Sequence, residues 1–260
     1  MKKTIIFFIV AALLFTCGSS VYAAEAAQQE PVFTVTPRVW FAFVDSPDQG
    51  WYNAESTFMP LYGLTASLAP RNIPNWSFLI TGLHGTSDGD ITETEDGNLY
   101  RGSADYNRSD IELLVRYTFP GTGLSLFFGP RYIKAKNEQK VPAWDNYRAK
   151  EESDIWAGEV GVGFVSSIGE SGHHRFFSNL TLGIAYSKWD WSSNNPTEMP
   201  ESGSGTEPMI DVNIGYEYLF TSSSSLSLRY RIFATRDEND FGQDRWGLFH
   251  GPEIGLSFRF

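Results

Sequence analysis

Ten segments of the chain alternate apolar and polar residues with a period of two, the spacing of a strand whose two faces meet different surroundings. They fall at roughly 32–44, 56–69, 75–86, 105–119, 124–136, 154–168, 175–188, 207–220, 225–236 and 247–260. The fourth sets Ile111, Leu113, Val115, Tyr117 and Phe119 against Asp110, Glu112, Arg116 and Thr118. The eighth sets Ile210, Val212, Ile214, Tyr216, Tyr218 and Phe220 against Asp211, Asn213, Gly215 and Glu217. Short connections ("APRNIPN", "PGTG", "GESGHH", "TSSSS") interleave with long polar ones at about 45–55, 86–104, 136–153, 188–206 and 237–246.

Two architectures fit ten such strands. A soluble sandwich would turn the apolar parity toward a shared core and the polar parity toward water. A membrane barrel would turn the apolar parity toward lipid and the polar parity toward a lumen. Three features favour the barrel. The apolar faces end in aromatic residues: Phe41, Phe43, Tyr132, Trp156 and Tyr186 at one end, Phe119, Phe164, Phe176, Phe220 and Phe260 at the other. Such residues suit the two interfaces of a bilayer. The apolar parity carries no Asp, Glu, Lys or Arg through its middle, and the polar parity is rich in glycine and arginine. The expected fold is all-β, a single antiparallel up-and-down transmembrane barrel of about ten strands, eight to twelve being compatible with the pattern.

The N-terminus agrees with export. Lys2 and Lys3 precede "TIIFFIVAALLF", and Val21-Tyr22-Ala23 fits a small-residue cleavage site, so residues 1–23 read as a secretory signal peptide and 24–260 as the barrel domain. Cys17 is the only cysteine and lies in that peptide, which leaves neither disulfide nor thiol chemistry to the rest. The formal charge of −11 excludes nucleic acid as a natural partner.

The last strand places Leu248, Ile254, Leu256, Phe258 and Phe260 on one parity and Glu253, Gly255, Ser257 and Arg259 on the other. Its ending, Leu256-Phe258-Phe260, resembles the assembly signal of bacterial outer-membrane β-barrel proteins. That resemblance implies a bacterial outer membrane of Gram-negative type, with termini in the periplasm. It also implies barrel-assembly machinery as a partner and lipopolysaccharide among the surrounding lipids.

The inward parity carries Arg38, Arg108, Arg116, Arg131, Arg229, Arg231 and Arg259 against Asp110, Glu112, Glu159, Asp211, Glu217 and Glu253. Charges secluded in a narrow barrel must pair, and the planar fork of arginine meets carboxylates bidentately. About eight strands leave room only for side chains, and about 16 to 18 leave an open channel. Ten strands therefore favour a lumen filled by a charge network. A narrow porin-like channel for small solutes or ions is the alternative. Leu61, Leu79 and Leu83 also face inward, where a folded-in loop would cover them. Pro37, Pro60, Pro130 and Pro252, on the outward parity, each delete a ladder donor, so bulges or bends are expected there.

The acidic charge gathers in the long loops. Residues 86–105 hold Asp88, Asp90, Glu93, Glu95, Asp96 and Asp105 against Arg101. Carboxylate oxygens suit divalent cations, although no spacing matches a defined calcium loop, and solvated surface is the plainer reading. The omptin surface proteases, also ten-stranded, pair two aspartates on one loop with an Asp/His pair on another. Here Asp88 and Asp90 match the first pair and Asp190 part of the second, but no histidine stands near it. His173 and His174 fall in a short turn. His84 and His250 lie near the upper ends of outward faces, and His250 has no serine two residues on, as a lipid A deacylase of the His/Ser/Glu type would need. The expectation is a non-enzymatic protein without cofactor or catalytic set, a scaffold presenting acidic loops.

Overall fold

The computed structural model describes residues 32–45, 52–53, 57–95, 98–143, 146–238 and 244–260. The signal peptide with Cys17 lies outside the described residues, as do most of 45–55 and 239–243. Ten long strands form the wall: β1 (Val32–Asp45), β2 (Thr57–Ala69), β3 (Trp76–Glu95), β4 (Asn98–Thr118) and β5 (Leu124–Val141). The other five are β6 (Tyr147–Ile168), β7 (His174–Ser193), β8 (Glu201–Thr221), β9 (Ser224–Glu238) and β10 (Asp244–Arg259). Each pairs antiparallel with its neighbours in sequence, and β1 pairs with β10, which closes the sheet into a barrel with no free edge. A two-residue strand, Tyr52–Asn53, adds to the outer end of β3. Closure satisfies the backbone groups of every strand, which a spanning sheet requires.

All ten expected strands are present, and the inward and outward parities are those read from the alternation. Phe128, Trp156, Val160, Leu182, Ile184 and Leu228 stand exposed on the outside. Arg131, Asp110, Asp211 and Glu253 are buried inside. Three expected loops are strand instead. The 86–104, 136–153 and 188–206 stretches continue the ladders β3–β4, β5–β6 and β7–β8, with Glu95 opposite Asn98, Val141 opposite Tyr147 and Trp191 opposite Glu201. Beyond the membrane both faces of a strand meet water, so the alternation that reveals a strand disappears while its backbone still gains by pairing.

The expected bulges at proline are absent. The β1–β10 and β1–β2 registers run unshifted past Pro37, Pro60 and Pro252, and β5 pairs β4 and β6 without a shift past Pro130. Glycine before proline explains two of these passages. A Cβ on Gly129 would sit 1.7 Å from the Leu113 carbonyl oxygen, and one on Gly251, at φ +153°, would sit 2.0 Å from that of Phe41. The neighbouring strand fills the space a side chain would need, so the lost donor shortens the ladder locally and the register survives. The register shift recorded lies at Ser224/Ser225, beside the β8–β9 turn.

Candidate functional site

The inward side chains form two layers. The first is ionic and links seven of the ten strands. Arg131 on β5 grips Asp110 on β4 through two hydrogen bonds of 2.9 and 2.5 Å, and reaches Asp211 on β8 at 2.9 Å. Asp211 also accepts from Arg231 on β9 at 2.5 Å and from the Asn213 amide at 3.0 Å. Arg231 approaches Glu253 on β10 at 4.0 Å, and Glu253 pairs with Arg229 and, at 3.4 Å, with Arg38 on β1. Arg108 joins at Asp110, 3.3 Å away, and Glu159 on β6 stands 3.9 Å from Arg131. Arg131, Asp110, Asp211 and Arg231 can stay charged because each is hydrogen-bonded to an opposite charge instead of water.

The second layer is apolar. Trp40, Ala42, Met59, Leu61, Leu83, Ile133, Met209, Phe233 and Phe249 pack together inside the barrel, with Tyr106 and Ile155 against them. The two layers lock by cation–π contact: Phe233 lies 4.6 Å from Arg108 and 4.4 Å from Arg131, and Trp40 lies 4.7 Å from Arg231. Among the described residues, Leu61 and Leu83 are therefore covered by side chains of the wall itself. The signal for this layer was present in the sequence as Trp40, Met59, Met209, Phe233 and Phe249 on the inward parity. It was masked by the stronger apolar parity outside.

Most of the expected network residues meet, and four do not. Among the described residues Arg116 and Glu112 form no ion pair. Arg116 instead lies 5.6 Å over Phe127. Arg259 sits exposed at the terminal end, where it donates to the Ser222 carbonyl at 3.4 Å. Glu217 belongs to a separate lower cluster, with Arg175 at 3.7 Å and the Ser225 hydroxyl donating at 2.5 Å. Arg175 escaped the sequence reading because its strand begins only one residue earlier. Among the described residues, both carboxylate oxygens of Glu159 lack a hydrogen-bond partner of good geometry.

The candidate catalytic groups do not converge. Asp88 and Asp90 point outward from β3, and Asp190 points outward from β7, with three strands between them. The histidines also lie outside. His250 bonds the Tyr230 hydroxyl at 2.7 Å, His174 bonds that of Tyr216, and His84 meets the Ser109 hydroxyl at 3.0 Å. No carboxylate completes the His84–Ser109 pair among the described residues. Nor does any group of three or more His, Asp or Glu side chains among them gather as metal ligands. The β7–β8 connection folds onto β6: Asn194 accepts from the Arg148 amide at 2.8 Å, and Tyr147 donates to Glu198 at 3.2 Å. Beside it lies an open cleft of about 270 Å³ lined by Lys150, Glu152, Asp190, Trp191 and Glu201 among others.

A closed ten-stranded wall, apolar outside and charged within, defines this protein as an outer-membrane type of β-barrel. Neither a family model nor a curated protein matches the chain. Solved structures do. The outer membrane protease OmpT from Escherichia coli superposes with a TM-score of 0.60 at 8% identity, over 94% of this chain and 100% of that one. The translocator domain of the autotransporter NalP from Neisseria meningitidis superposes with a TM-score of 0.53 at 10% identity, over 90% of each. At these identities the likeness is one of fold.

Proposed function

We propose that this protein is a non-conducting, non-enzymatic scaffold of the bacterial outer membrane. Its termini face the periplasm, and its extended outer hairpins are presented to the exterior as a recognition surface. The observation that carries the reading is the doubly sealed lumen: Arg131 joins Asp110 to Asp211 across the interior, and Trp40, Met59 and Phe233 are fully buried beside that bridge. An ion would have to break paired charges and then cross an apolar layer. The ladders that continue past the membrane, and the β7–β8 connection bonded back onto β6, support hairpins held in one shape for a partner. The placement of the termini rests on their sharing an end with the four short turns.

The experiment is single-channel recording of the refolded, signal-less protein in planar bilayers, with heat-modifiable gel migration certifying the fold. A silent bilayer is expected. Stable, reproducible conductance steps would overturn the scaffold in favour of a narrow channel.

A further inference from the structure

On the turn side of the ionic layer the inner wall becomes small and hydroxylated. Thr36 bonds Ser257 at 2.8 Å, Thr65 bonds Thr81 at 2.9 Å, and Ser227 donates to the Gly255 carbonyl at 3.3 Å. Three arginines enter this half of the lumen. Arg229 lies two residues nearer the short turns than Arg231 on β9, and Arg38 two residues nearer than Trp40 on β1. Arg116 lies six residues nearer than Asp110 on β4.

Water reaches these arginines and goes no further. The Arg38 and Arg229 side chains stay 12% and 15% exposed, and Arg116 is half-buried. The Glu253 carboxylate that Arg38 and Arg229 share is only 1% exposed, so it lies behind them on the dry side. Arg131, Asp110 and Asp211 beyond it are also buried. Arg38 and Arg116 both lie within the fields of Arg229 and Glu112, so these four groups face one space. Glu112 is half-buried and forms no ion pair among the described residues. Three guanidinium groups thus meet two carboxylates, Glu112 beside them and Glu253 behind, and one positive charge is left over.

Arg116 holds the unspent capacity. Among the described residues it makes no ion pair and its Nε has no hydrogen-bond partner, while its guanidinium lies 5.6 Å over the Phe127 ring. An uncompensated guanidinium in a secluded space is costly. A tetrahedral oxyanion relieves that cost well, because two of its oxygens match the planar fork. Nearer the mouth stand Arg175, paired with Glu217, and the exposed Arg259. The side chains of this half are therefore net positive in a chain of net charge −11, a field that draws small anions inward.

We propose that the turn-side half of the lumen is a dead-end binding site for a small tetrahedral oxyanion such as phosphate. Arg116 is its main ligand, Arg229 and Arg38 complete the cationic wall, and Glu253 stays behind them as their structural partner. The dead end rests on the sealed lumen proposed above, whereas the anion site stands on these side chains alone.

The test titrates inorganic phosphate into the full refolded barrel in zwitterionic detergent at constant ionic strength, with sodium chloride as the balancing salt. Phosphorus-31 relaxation reads binding, and the temperature of heat modification reads the stabilisation that a ligand of the folded state confers. Wild type is expected to bind saturably and to gain in that temperature. Arg116→Gln should bind at least about tenfold more weakly and lose the thermal gain, with its fold certified by heat-modifiable migration. Arg116→Lys, which keeps the charge and loses the fork, should fall between the two. Arg148→Gln, which removes one positive charge from the outer hairpin, should match wild type. Undiminished binding by Arg116→Gln, or equal weakening by Arg148→Gln, would overturn the site. Displacement of phosphate by an equal concentration of chloride would overturn an oxyanion as its ligand. Competition by a bulky phosphate ester as strong as that of free phosphate would overturn its placement deep in the lumen. Conductance of the same samples reads the seal separately.

Discussion

Arg131 on β5 and Asp211 on β8 meet at 2.9 Å although β6 and β7 separate them in the wall. The bridge is made through the lumen, and it converts a hollow cylinder into a cross-braced one. Asp211 is shared with Arg231, so its removal leaves the buried Arg231 without its main partner and leaves Arg131 with Asp110 as its one hydrogen-bonded carboxylate. Asp211→Asn should destabilise the barrel by about 3–5 kcal/mol, measured as a lowered urea midpoint for folding into vesicles. A change below about 1 kcal/mol would show that the lumen admits enough water to hydrate these charges.

Conduction should depend on the apolar layer. Trp40→Ala/Phe233→Ala removes two side chains that are at most 1% exposed and that stack on Arg231, Arg108 and Arg131. The double variant should show conductance steps where wild type is silent, since water can then enter beside the ionic layer.

Glycine should be indispensable only where a neighbouring backbone has taken its space. Gly129→Ala, whose Cβ would meet the Leu113 carbonyl oxygen, should cost about 1–3 kcal/mol. Gly82→Ala, with nothing within 4 Å, should stay within about 0.5 kcal/mol. Urea titrations of the two side by side decide whether close strand passage carries the register past Pro130.

Phe260 helps to close the barrel. Phe260 exchanges two backbone hydrogen bonds with Phe33, at 3.1 and 2.8 Å, and its ring lies 6.4 Å from that of Phe33. Deleting Phe260 should cost about 2 kcal/mol in vitro. Its effect on assembly in cells should be larger if Leu256, Phe258 and Phe260 are read by assembly machinery. Pulse-chase of heat-modifiable protein separates the two effects.

The β5–β6 hairpin beyond the membrane should loosen in acid. Hydrogen bonds from Lys136 and Lys150 hold the Glu138 and Glu152 carboxyls below their ordinary range. A depressed carboxylate contributes stability above its unfolded value and loses it as pH falls through the folded one. Amide exchange in Lys134–Val141 should quicken on acidification relative to Ser125–Arg131, after correction for intrinsic rates.

The strand set was legible because one face of each strand meets lipid, and that demand imprints apolar residues at every second position. The charged residues of the lumen were legible for the same reason, as the other parity of a known strand. What failed to read were stretches where this contrast vanishes. The outer extensions of β3 to β8 have water on both faces, and Trp40, Met59, Phe233 and Phe249 are apolar on the parity expected to be polar. The proline effect was misread because a Pro130 or Pro252 in isolation forecasts a bulge, whereas Gly129 and Gly251 let the next strand close in.

By itself the sequence determined the barrel, its even strand number, its inside and its outside, since these follow from alternation and connection length, which are local. Pairing was decided only in three dimensions. That Arg131 answers both Asp110 and Asp211, that Arg116 and Glu112 form no ion pair among the described residues, and that Lys134 and Lys188 flank Asp154 above an aromatic row all depend on closure and register. Those bring together residues 80 positions apart, as with Arg131 and Asp211, and no local pattern encodes which charges a curved wall will place within 4 Å.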